Sequence, residues 1–83
     1  MENTRVYNRL YKDYEVSLCG LRSEAQNFEY NVKKADVEEI RFSLNRIAAL
    51  LVDLRYIADI LEISNPDHEV IEKDVKEFID RHF

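Results

Sequence analysis

Carboxylates three residues apart, a histidine four residues from a glutamate and a single cysteine are the residues of this chain whose types and spacing could do chemistry. Glu69-x-x-Glu72 and Glu77-x-x-Asp80 would pair oxygens on one helix face, the hard ligand set that holds Mg²⁺. Helical nucleotide hydrolases carry such pairs on separate facing helices. Here both pairs lie on one short segment and cannot approach one ion from opposite sides, so they read as solvated charge. His68 and Glu72 offer two ligands, too few to close a metal site, and His82 lies far along the same segment. Cys19 is the only cysteine, which excludes an internal disulfide or a thiolate cluster and points to a reducing compartment. Neither histidine adjoins a serine or cysteine in sequence that it could activate. Gly20 is the only glycine, so there is no phosphate-cradling loop. The expectation is a protein that is not an enzyme, with no catalytic residues, no metal, no cofactor and no small-molecule substrate.

Whatever these residues do, 83 residues must position them, which is material for one helical domain spanning 1–83. One Gly and one Pro leave too few turn formers for an all-β fold. The net charge of −5 is uneven: residues 1–35 carry six Lys/Arg against five Asp/Glu, and residues 36–83 carry six against twelve. A direct nucleic-acid binder would show a basic footprint, and this chain does not. Met1-Glu2-Asn3-Thr4-Arg5 lacks the apolar core of a signal peptide. No stretch approaches the ~20 uncharged residues of a membrane span. These features predict a cytoplasmic protein with no membrane partner.

Three helices account for the apolar pattern. Tyr7, Tyr11, Tyr14, Leu18, Leu21, Ala25, Phe28, Val32 and Ala35 alternate by four and three, a heptad seam. It predicts a helix over about 4–34, capped by Asn3 or Thr4. Lys33 and Lys34 suit a helix C-terminus, and Asp36 with Glu39 has capping-box spacing, so a turn is expected near 33–36, the alternative being a bend there in one continuous helix of about 60 residues. A second helix, about 37–63, carries a main stripe of Val37, Ile40, Leu44, Ile47, Leu51, Leu54, Ala58 and Leu61. Ser64-Asn65-Pro66 ends it, with Asn65 as the expected cap and Pro66 as the first residue of a third helix, about 66–82. Glu69/Lys73, Glu72/Lys76 and Glu77/Arg81 stand four apart there, as expected of a solvated face. The fold class is all-α: a long antiparallel hairpin plus a shorter third helix, closed as a three-helix bundle or as a dimeric, coiled-coil-like bundle.

The faces left over carry the functional expectation. Val16, Cys19, Gly20, Ser23, Asn27 and Tyr30 share an uncharged, mostly small face of the first helix, away from its seam. Phe42, Ala49, Tyr56 and Ile63, seven apart, with Ile60 on the same face, form a second stripe on the central helix. That stripe must meet the third helix, a second copy or a target. Tyr7, Tyr11 and Tyr14 either close the end of the core or belong to an interface, as amphipathic tyrosines do. Together these faces predict a protein-binding regulator (a dimeric adaptor, chaperone or inhibitor), with a homodimer as one partner choice. The alternatives are an acidic DNA mimic that inhibits a nucleic-acid-binding protein and, less favoured, a direct DNA-binding regulator. The helices are too long and the third too acidic for a helix-turn-helix.

Overall fold

Two short turns, neither with a glycine, divide the chain. The computed structural model describes residues 2–83, with side chains from Thr4 onward. It is all-α, with α1 (Glu2–Lys34), α2 (Val37–Leu61) and α3 (Asp67–His82). α1 and α2 form the antiparallel hairpin, and α3 returns alongside them as the third member of the bundle, packing chiefly on α1. Tyr14 meets His68 and Phe28 meets Phe78, so α3 runs parallel to α1. The molecule measures 51 × 20 × 14 Å between Cα extremes.

The element boundaries differ from expectation in three places. α1 already includes Asn3 and Thr4, so neither caps it. α2 stops at Leu61, not Ile63. Pro66, not Asn65, precedes α3 as its cap, with no side-chain cap bond. Asn65 instead takes φ 51°, reversing the chain between α2 and α3, a left-handed conformation that asparagine tolerates better than most residues.

Both helix ends close by the same device. Asp36 N–H donates to the Asn31 carbonyl and Ala35 N–H to that of Val32. Ile63 N–H donates to the Ala58 carbonyl and Glu62 N–H to that of Asp59. These are paired Schellman bonds, which need one left-handed residue each. Ala35 (φ 57°) and Glu62 (φ 55°) supply it without a glycine. Asp36 then caps α2, its Oδ1 accepting from Glu39 N–H at 3.2 Å. The reciprocal arm of a capping box does not form, because the Asp36 N–H is already committed to Asn31.

The one glycine lies instead inside a helix. A Cβ on Gly20 would sit 3.8 Å from both Leu50 methyls, an ordinary contact. Gly20→Ala is therefore expected to stabilise the chain by about 0.5–1 kcal/mol, and Ala35→Gly by about 1 kcal/mol. The double variant should melt about 10 °C higher; an unchanged or lower midpoint in a thermal scan would refute this account of the turns.

The core is where the heptad seams meet. Leu21, Phe28 and Leu54 are fully buried, with Tyr14, Leu18, Ile47, Leu51, Ala58, Val75 and Phe78 around them. The main stripe of α2 fails at its start: Val37 and Leu44 are exposed and Ser43 is buried. A straight helix drifts by about 20° per heptad against a 3.5-residue repeat. Two heptads before Ala58, Leu44 has therefore turned about 40° off that residue's direction, and Ser43 is the residue that faces α1. There Asn31 Nδ2 donates to the Ser43 hydroxyl at 3.2 Å.

Candidate functional site

Each helix step turns about 100°, so contacts on one flank locate the opposite flank. On α1, Arg22 faces α3 through Asp67 and Glu24 faces α2 through Arg46. On α2, Arg55 faces α3 through Glu72. Val16, Ser23, Asn27 and Tyr30 fall on the side of α1 away from α3. Phe42, Ala49, Tyr56 and Ile60 fall on the matching side of α2. The two sets are the two edges of one surface, the face of the hairpin opposite α3.

That face is open. Phe42, Tyr56 and Ile60 are 61%, 69% and 53% exposed, and Val16 and Tyr30 are exposed as well. Ala49, Ser23 and Asn27 are exposed between them. The second stripe of α2 thus does not meet α3, and Ile63, expected to extend it, lies beyond the end of α2 and packs against the core instead. A groove of ≈ 420 Å³ runs between the helices on this side, lined by Asn27, Tyr30, Phe42, Ser43 and Arg46. Lys34 Nζ lies 5.0 Å from the Tyr30 ring centre, so a cation rims its outer end.

Two members of the expected small face sit elsewhere. Gly20 is half-buried against Leu50 at the hairpin contact; the missing side chain serves helix packing within the chain. Cys19 is exposed but turns toward α3, lining a second groove of ≈ 740 Å³ with Tyr11, Arg22, Glu62 and Pro66. The three tyrosines also divide. Tyr7 and Tyr11 stay exposed toward the start of α1, Tyr11 beside the α2–α3 turn, and Tyr14 is core.

His68, by sequence a candidate metal ligand, is only 2% exposed. Its Nδ1 shares a 3.1 Å hydrogen bond with the Tyr14 hydroxyl. Glu72, its expected co-ligand, is held by Arg55 and Lys76. Among the described residues no group of three or more His, Cys, Asp or Glu could hold a metal ion. The buried pair Tyr14/His68 and the half-buried pair Asn31/Ser43 are invisible in the sequence because each joins residues of different helices. An aromatic four residues before a leucine seam and a histidine just after a helix-starting proline are the only signals available.

Burial raises the Tyr14 phenol above the ordinary tyrosine range, opposed by the His68 bond, reinforced by Asp67 and Glu69 and opposed again by Arg22. A folded pKa above the unfolded one contributes stability that is complete below the unfolded value and is lost as pH rises through the folded one. Stability is therefore expected to decline above about pH 10. Tyr14→Phe should flatten that alkaline limb; an unaltered limb in denaturant titrations at several pH values would contradict the assignment.

The acidic third helix is partly neutralised. Asp67 pairs with Arg22 at 3.7 Å, and Glu72 with Arg55 and Lys76. Of the three pairs expected within α3, only Glu72/Lys76 forms among the described residues. Among them no helix is long and apolar enough to cross a membrane. Comparisons of the chain with protein-family models, with curated proteins and with solved structures return no match.

Proposed function

We propose that this chain is a small, non-enzymatic regulator that binds protein through the α1–α2 face opposite α3. The observation that supports this is the exposure of Phe42, Tyr56 and Ile60 on one edge of that face. Surface leucines and valines scattered singly need no explanation, whereas a row of large apolar residues with a charged rim has the anatomy of an interface. Lys34 stands at the rim beside Tyr30, and Arg46 and Asp53 stand within the face beside the apolar stripe; these charges fix register while the stripe supplies affinity. An adaptor, a chaperone or an inhibitor would all use such a face. A free, exposed Cys19 suits a cytoplasmic setting. Imitation of DNA is the weaker reading, because Arg22, Arg55 and Lys76 interrupt the acidic row it would need.

The test uses two baits in a lysate of the source cells, the native chain and the Phe42→Asp/Tyr56→Asp variant. Both positions are exposed, so the variant should keep its helicity. The expected result is a protein retained stoichiometrically by the native chain and lost with the variant. Equal retention by both baits would reject the face as the binding surface.

A further inference from the structure

We infer that the occupant of this face is a second copy of the chain, with α2 packed antiparallel on α2 about a two-fold axis at Ala49. The inference rests on the protein-binding reading above and names its partner. Its basis is that the second stripe of α2 is self-complementary. Phe42 lies seven residues before Ala49 and Tyr56 seven after. A two-fold axis crossing α2 at Ala49 sets Phe42 of each copy against Tyr56 of the other, and Ala49 against Ala49. The same operation brings Arg46 within one residue of Asp53 of the second copy, twice per dimer. Asp53 is exposed and, among the described residues, makes no ion pair; Arg46 pairs with Glu24 at 3.1 Å within the chain but keeps 66% of its side chain exposed, so one guanidinium can bridge Glu24 and the second copy's carboxylate. A parallel pairing would instead set arginine on arginine and aspartate on aspartate, which opposes it.

The shape of the face agrees. The Gly20–Leu50 contact and the Glu24–Arg46 pair fix which levels of α1 and α2 stand side by side. By that register Ser23 on α1 lies level with Ile47 on α2, two residues from Ala49, so the face is small near its middle on both helices. Large side chains stand at each end, Tyr30 and Phe42 toward the closed turn, Val16, Tyr56 and Ile60 toward the other. An isologous partner, rotated end for end, lays ends on ends and middle on middle, and small residues at the crossing let the backbones approach closely. The size is sufficient. α2 is about 37 Å long at 1.5 Å per residue, and two helices side by side are roughly 20 Å wide. The resulting face of about 750 Å² per copy is near the ~800 Å² per partner of stable interfaces.

The test is sedimentation equilibrium on the native chain and on two charge variants, Arg46→Glu and Asp53→Arg, alone and mixed, from ~1 to ~200 µM. The native chain should reach twice 9.9 kDa. Each variant alone places like charges together at both pairs and should dimerise about tenfold more weakly or worse. The equimolar mixture restores both opposite-charge pairs and should form a heterodimer with close to native affinity. Circular dichroism on each variant confirms that these exposed changes leave the helices intact. A native chain of 9.9 kDa throughout, or variants that dimerise as the native chain does, would overturn the inference. So would a mixture that forms no heterodimer. A monomeric native chain that still retains a cellular protein, lost on Phe42→Asp/Tyr56→Asp, would overturn the dimer alone and leave the binding face standing.

Discussion

Phe28→Ala is expected to remove about 3–5 kcal/mol of stability, the range for truncating a fully buried phenylalanine. Phe28 is 0% exposed and meets Phe78 edge to face, ring centres 5.7 Å apart, so the substitution also removes an aromatic pair worth about 0.5–1.5 kcal/mol. It strikes the core that α1, α2 and α3 share. A chain of this size has roughly 4–12 kcal/mol to lose. The variant should therefore melt at least about 15 °C lower, or be partly unfolded at room temperature. Phe42→Ala is the matched control: the same change on the open face should alter stability by less than about 0.5 kcal/mol. Equal destabilisation by the two would mean that Phe42 is core, and the assignment of the open face would fail. Thermal or urea denaturation measured at low protein concentration, where assembly does not contribute, distinguishes the cases.

His68→Ala is expected to cost about 3 kcal/mol and to act on α3 before the hairpin. The imidazole is buried at the start of α3, and its loss leaves the Tyr14 hydroxyl buried without its partner, which alone costs about 1–3 kcal/mol. α3 holds to the hairpin through a short contact: His68, Val75 and Phe78 are its buried side chains. The hairpin, by contrast, has the longer seam. Weakening one end of a small contact should open α3 locally while α1 and α2 stay paired. Hydrogen exchange followed by residue should show protection falling first across Asp67–His82. Uniform loss of protection along all three helices would contradict a locally docked α3. Tyr14→Phe, which removes the bond but keeps the ring, should cost less than His68→Ala.

The hairpin and its short third helix are legible from periodicity alone, because a seam such as Leu18, Leu21, Ala25, Phe28 has only one reading. Helix ends are less legible. The left-handed residues at the ends of α1 and α2 are Ala35 and Glu62, which no propensity singles out, and they hold that conformation because the Schellman bonds there require it. Ser43 in place of Leu44 is hidden for another reason: a heptad reading assumes supercoiling to 3.5 residues per turn, and a straight helix drifts away from it. Of the candidate face, the α2 stripe Phe42, Ala49, Tyr56 and Ile60 reads as one surface and lies on one surface. The α1 set is partly misplaced. Gly20 and Cys19 look like neighbours of Ser23 on a helical wheel, yet the positions of α2 and α3 give Gly20 to the hairpin contact and Cys19 to the α3 side. Single-helix periodicity cannot say where neighbouring helices stand. For the same reason Tyr14 and His68, far apart in sequence, give no sign of their bond.

If the α1–α2 face receives a second copy with Ala49 on the axis, a thiol at that position must meet its own symmetry mate. Placing the only cysteine there, as Cys19→Ser/Ala49→Cys, tests this most directly, because a disulfide forms only when the two Cα atoms come within about 7 Å. Mild oxidation should convert this variant to a covalent species of twice 9.9 kDa, while Cys19→Ser/Lys73→Cys, with its thiol at an exposed position of α3, remains single chains. An Ala49→Cys chain that stays monomeric, or that links no faster than the Lys73→Cys chain, would contradict the two-fold pairing at Ala49.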